Sequence, residues 1–411
     1  MPNLSSVTRR LFALSYAGVV TLWRRMGLLI VLALAGCGQA VSSPTAPSTS
    51  APTTSKPAAT PSPLYGFPVA TGVTCPDLKS LGVQRALLRA ADQDHPDRRD
   101  VVLCDALDPA RPRTLPALEG STSQVLLGRD LVGYVALKGG GPSSPPDQFT
   151  SVPSTLNLVT GQTTELGSSQ GLALAAGWSP DASMVAYFTD SGGYHHYWLK
   201  RGSGAPGPFS TPAQVFGRGG SPDDQLLVGF SFDGQYVLVV DTFVSRLQVF
   251  RSSDGGLVYA APSGGAGGFR TMAAWSHSAD RFYFRNNSGV YQWDASSGIS
   301  SSIAGLIWFT PSLSPSDQLA AYAVGASRTP HVETRDLSSG AVTAFAPWRD
   351  SPLFTSERTL LVHEEAPCDT CMGAYSWTGK TLAVRTDTRA ETDLGIKGWL
   401  FASFWPSAGK R

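Results

Sequence analysis

The sequence predicts an all-β protein, a β-propeller of four-stranded blades, on three observations: a recurring turn, its spacing, and an unfinished copy near the C-terminus. The turn Gly177-Trp-Ser-Pro-Asp181 precedes the apolar run Met184-Val-Ala-Tyr-Phe188, and it recurs as Gly229-Phe-Ser-Phe-Asp-Gly234 before Tyr236-Val-Leu-Val-Val240. Further copies are Trp275-Ser-His-Ser278 before Arg281-Phe-Tyr-Phe284 and Leu313-Ser-Pro-Ser-Asp317 before Leu319-Ala-Ala-Tyr322. Degenerate ones are Phe354-Thr-Ser356 before Thr359-Leu-Leu-Val362 and Leu127-Gly-Arg-Asp130 before Val132-Gly-Tyr-Val135. The anchors at 127, 178, 230, 275, 313 and 354 lie 51, 52, 45, 38 and 41 residues apart, which is the length of a propeller blade.

The first 63 residues precede this pattern. Met26 to Cys37 follows Arg24-Arg25 as an apolar run of about ten residues ending in small residues and a cysteine, which reads as a secretion signal. Leu34-Ala35-Gly36-Cys37 resembles the bacterial lipobox, and that resemblance implies a signal peptide over 1–36 and lipidation of Cys37. Val41 to Pro63 is dominated by Ser, Thr and Pro, too polar to bury a core, so 37–63 is expected to be a lipidated cysteine and a solvated tether. The folded domain is then 64–411.

Within each repeat unit the order is strand, tight turn, β-branched and aromatic strand, polar loop, and a further strand such as Tyr197–Lys200, Leu247–Phe250 or Val290–Trp293. A second turn follows, as at Ser253-Asp-Gly-Gly256, Ser296-Ser-Gly298 and Ser338-Ser-Gly340. Such a meander is too small to stand alone, and radial stacking covers its faces and protects its edges. Leu400–Ser407 reads as a seventh first strand with no partners after it. Arg85–Arg89, Asp100–Cys104 and Thr114–Leu118 form three strands with no anchor before them. Seven blades are therefore expected, closed by pairing of the N- and C-terminal strands; six is the alternative. The anchored turns resemble those of TolB-type, WD-repeat-like propellers, with Trp178 to Asp181 nearest that pattern. The resemblance covers roughly residues 80 to 406.

Composition narrows the function. Hydrophobic residues are 42% and charged residues 15% of 411, enough for a large core and unlike a disordered chain. The formal charge is +1, but residues 1–36 carry four arginines and no acid, so the remainder has a small acidic excess. Nucleic acid is thus not an expected partner.

Cys75, Cys104, Cys368 and Cys371 are an even set in an exported chain and read as disulfides. Proximity favours Cys75 with Cys104 and Cys368 with Cys371; a pairing of Cys104 with the Cys368 loop is the rival. The stretch His363 to Cys371 also offers imidazole and thiol ligands, so a metal or redox centre on His363, Cys368 and Cys371 stands as a second alternative. Loops between second and third strands share one face, and that face gathers candidate ligand residues Asp94, His95, Asp190, His195, Asp241, Asn286, Arg328, Glu364 and Glu365. Asp181, Asp233 and Asp317 read as turn residues bonding local backbone. No nucleophile elbow, zinc-protease helix, phosphate loop or EF-hand occurs. The resulting expectation is a monomeric, lipid-anchored extracytoplasmic propeller, without cofactor, that binds a protein, peptide or glycan. The first alternative is a hydrolase or lyase with polar residues at the central pore.

Overall fold

The computed structural model describes residues 64–90, 100–141, 144–214, 226–244, 246–261, 272–286, 289–303, 309–325, 329–368 and 375–406. The chain divides into two units, Met1–Thr60 and Pro61–Arg411, and every described residue belongs to the second. That unit is a seven-bladed propeller of antiparallel meanders. First strands of blades I to VI are Thr122–Leu126, Leu172–Trp178, Leu226–Phe230, Met272–Trp275, Phe309–Leu313 and Arg349–Ser356. Blade VII takes its first strand, Trp399–Pro406, from the C-terminal end. Its other strands, Val83–Ala90, Val101–Asp105 and Arg113–Thr114, come from the N-terminal end. The pairing runs antiparallel from Val83 opposite Pro406 to Ala90 opposite Trp399. One expectation needs correction: the strand expected over Thr114–Leu118 stops at Thr114, because Pro116 lacks the N–H a ladder needs and Pro116–Leu118 forms a 3-10 turn instead.

Second strands are apolar on both faces, as in Tyr236–Asp241, where every residue after Tyr236 is buried. Alternation divides such a strand between two cores. Val237 and Val239 pack toward blade II with Phe188 and Phe250, whereas Leu238 and Val240 pack toward blade IV with Phe282 and Trp293. The same division around the ring produces seven apolar cores, one at each blade junction. No blade owns a core of its own.

The recurring serine explains the turn. Ser179, Ser231 and Ser314 are buried, and each hydroxyl accepts the N–H of the residue five positions on, at 2.9, 3.0 and 3.1 Å. The residue three positions after each serine is left-handed: Ala182, Gly234 and Asp317 at φ 59°, 78° and 59°. Near the axis the blades come close. A Cβ on Gly177 would press into the Val228 carbonyl of blade III, and one on Gly229 would meet the Trp275 indole, whose Nε1 donates to the Gly229 carbonyl at 3.0 Å.

Two contacts brace blade VII. Cys75 and Cys104 form a disulfide across 29 residues, tying the segment before Val83 to the third strand. Fully buried Arg85 bonds Asp105 at 2.7 Å and reaches Asp130 of blade I at 2.5 Å. Cys368 is disulfide-bonded too, and with Cys75 and Cys104 joined its partner lies outside the described residues.

Gly177→Ala is expected to cost about 1–3 kcal/mol in equilibrium denaturation, since backbone rather than a flexible side chain fills the space. Replacing Cys75 and Cys104 together by alanine is expected to cost about 3–4 kcal/mol by loop entropy, read from the shift in denaturation midpoint.

Candidate functional site

An antiparallel meander places its first-to-second and third-to-fourth turns at one end of each blade, and the loops between second and third strands at the other. The ring therefore has two unlike faces. On the first-turn face, a cavity of about 220 Å³ is lined by the rings of Trp178, Phe230, Phe232, Trp275 and Trp405. Three of these, Trp178, Phe230 and Trp275, are the anchors themselves, and Trp405 holds the matching place in the first strand of blade VII; Phe232 follows its anchor by two residues and is 49% exposed. Val125, Leu126 and Leu127 of blade I and Pro180 of blade II complete the apolar wall, so blades VII and I to IV all contribute. None of the ring contacts among the described residues joins two of these five aromatic side chains. They border space instead of packing on each other.

The three wall serines donate to carboxylates, while His277, also in the wall, sets Nε2 3.3 Å from the Leu313 carbonyl and the Trp178 Nε1 is buried without a partner. Ser179 Oγ donates to Asp181 at 2.6 Å, Ser231 Oγ to Asp233 at 2.8 Å, and Ser276 Oγ to Asp317 of blade V at 2.6 Å. Asp181 is held below the usual carboxylate range by the Ser179 hydrogen bond. Asp181 and Asp233 also accept local backbone N–H groups, as the turn chemistry anticipates. Asp317 departs from it, accepting the His277 and Ser278 N–H groups of the neighbouring blade. Asp280 and Asp233 face each other; burial, then Asp233, raises the Asp280 pKa.

The opposite face carries the residues the sequence singled out. His195 and Asp241 are brought together but closed off, at 3% and 0% exposure, with Nδ1 and Oδ2 2.5 Å apart. Tyr197 donates to the same carboxylate oxygen at 2.7 Å, and Arg246 lies 4.4 Å over the Tyr197 ring. Burial, then Asp241, pushes the Tyr197 hydroxyl above its ordinary range. This cluster ties blade II to blade III and leaves no open face for a ligand. Asp190 sits opposite His195 in the strand register, and Asn286 ends a second strand. Glu364 is engaged by Lys380 at 3.3 Å and Thr378 at 3.0 Å. Cys37, Asp94, His95, Arg328 and Cys371 lie outside the described residues.

Blade VI supplies the titratable part of this face. Burial, then Asp350, raises Glu365 to about 7, while burial lowers His363 to about 4. The His363 ring centroid lies 5.4 Å from that of Trp377. Among the described residues no group of three His, Cys, Asp or Glu is placed to hold a metal, and a disulfide-bonded Cys368 has no thiolate to give one.

The chain matches no protein-family model and no curated protein. Among solved structures it resembles a Bacteroides fragilis protein assigned as a 6-phosphogluconolactonase, at 14% identity and TM-score 0.50 over 79% of this chain and 98% of that one. The chain shares a propeller fold. TolB from Acinetobacter baumannii is similar at 13% identity and TM-score 0.44, over 79% of this chain and 67% of its own. The periplasmic gluconolactonase of Pseudomonas aeruginosa is similar at 14% and 0.48, over 77% and 97%. At such identities the likeness concerns architecture, and fold does not carry function.

The two shifted groups of blade VI act oppositely on stability. Glu365 binds its proton more tightly folded than unfolded, so its contribution is full below about 4.5 and is lost as pH rises through 7. His363 resists protonation when folded, so its contribution is full above about 6.5 and is lost as pH falls toward 4. Glu365→Gln is therefore expected to gain stability relative to the parent protein between pH 5 and pH 8, by up to about 3 kcal/mol, in denaturation at the two pH values.

Proposed function

We propose that this chain is an exported lipoprotein, anchored through Cys37 and a Ser/Thr/Pro tether, whose propeller is a non-catalytic binding module for a protein, peptide or glycan. The observation that carries the reading is the axial cavity, where five aromatic rings border open space while the neighbouring serine hydroxyls are committed to carboxylates. Aromatic surface of this kind provides large contact area at small entropic cost, and concave apolar sites with a few polar groups are where ligands bind. Its chemistry suits recognition: the wall offers rings, apolar side chains and the unpartnered Trp178 N–H, and the shifted groups Glu365 and His363 sit on the other face.

The test has two parts. In cells, Cys37→Ser is expected to move the protein from the membrane fraction to the soluble exported fraction; unchanged membrane retention would contradict the anchor. On peptide and glycan arrays, ligands bound by the parent protein are expected to lose at least about 10-fold in affinity with Trp275→Leu or Phe232→Leu. Binding that ignores both substitutions, or chemical turnover of a bound ligand, would contradict the module.

A further inference from the structure

The cavity wall combines two features that a purely apolar guest does not require. The first is its aromatic content: three indoles and two phenyl rings around about 220 Å³, none of them stacked on another of the five. The second is the orientation of its hydroxyls. Ser179, Ser231 and Ser276 send their hydrogens to Asp181, Asp233 and Asp317 and accept backbone N–H groups in turn, so the hydroxyls are committed and carboxylates stand behind them. An anion placed there would have these carboxylates behind the wall.

The charge behind the wall is also undercompensated. The first turns of blades I to IV contain Asp130, Asp181, Asp233 and Asp280, and one arginine, Arg129. Arg85 takes Asp130, Arg281 at the edge of blade IV turns 3.5 Å from Asp294, and Arg129 on blade I keeps Nε and Nη2 buried without a partner, one positive charge against the remaining carboxylates. Asp233 and Asp280 are thus left facing each other beside cavity-lining Ser231, with an Asp280 oxygen buried and unbonded. Two carboxylates in such proximity repel, and a nearby positive charge relieves that repulsion.

Ring faces attract a cation through their quadrupole, and the attraction is greatest where the cation is easily stripped of water. A primary ammonium is strongly hydrated and wants three acceptors of its own. A quaternary ammonium has no N–H to satisfy, spreads its charge over methyl groups, and fits a wall that five aromatic side chains share with Val125, Leu126, Leu127 and Pro180. We infer that the first-turn cavity is a cage for a quaternary ammonium group. The inference rests on the reading of this cavity as the binding site and names the chemical class it takes.

Choline is the probe, titrated into the full-length exported protein and followed by indole fluorescence and calorimetry. The neutral isostere 3,3-dimethylbutan-1-ol separates charge from shape, ethanolamine separates quaternary from primary ammonium, and phosphocholine adds an anion that the carboxylates should oppose. The expected result is saturable choline binding about 10-fold tighter than that of the isostere, with ethanolamine and phosphocholine also weaker. Phe232→Leu, at a half-exposed position that the fold does not depend on, is expected to weaken choline by about 5-fold or more. Asp233→Asn is expected to weaken choline about 3-fold while leaving the isostere unchanged. Isostere binding equal to choline's would overturn the cation proposal and leave the binding module standing. Choline binding untouched by Phe232→Leu would overturn the location. Absence of saturable binding by choline overturns the inference, and the peptide and glycan arrays then decide separately whether the cavity binds anything.

Discussion

Every sheet in this molecule is buried on both faces against its neighbours, and the rest of the structure depends on that constraint. The cores lie at the seven blade junctions, so a blade removed from the ring exposes two apolar faces at once. Burial of a large apolar side chain contributes roughly 1.5–3 kcal/mol, and fully buried Val237 and Leu238 on successive positions serve different junctions. A ring with a missing junction would have two such faces in water. The pairing of Val83–Ala90 with Trp399–Pro406 prevents this, and the Cys75–Cys104 disulfide and the Arg85 ion pairs hold its N-terminal half in place.

The same closure shapes the site. Trp405 belongs to the last strand, and its ring joins those of blades II to IV around the cavity. The binding surface is consequently a product of the closed ring and is absent from any single repeat. Glycines at the axis serve the same end: Gly177 and Gly229 let first strands approach until the anchors of adjacent blades share one space. The opposite face is built differently. There His195, Tyr197 and Asp241 spend their polar groups on each other across a junction, and Glu364 is held by Lys380 and Thr378.

The architecture was legible in the sequence because propeller repeats are local and periodic. A strand, a Ser-centred turn and a second strand recur at blade length, and the unmatched strands at the two ends announce the seventh blade. The site was less legible. Trp178, Phe230 and Trp275 were visible as repeat anchors, a role that accounts for their recurrence without any ligand; only convergence of first strands in three dimensions reveals that they border a cavity with Phe232 and Trp405. Conversely, His195 and Asp241 were visible as polar residues at loop ends, and strand alternation that turns both inward is a matter of register, which a shift of one residue reverses. Asp317 shows the same limit on a smaller scale: its sequence context reads as a local turn, while its carboxylate serves the adjacent blade.

Native-state hydrogen exchange, resolved to individual amides, tests the central claim that one closed ring holds every blade and the cavity together. Amides of Ala86–Arg89 and Leu400–Trp405 should then exchange as slowly as those of the second strands Tyr236–Asp241 and Leu319–Val324, through the same global unfolding. Fast local exchange of the two terminal strands, with the other six blades still protected, would show that the ring stands without its closure and would contradict the account.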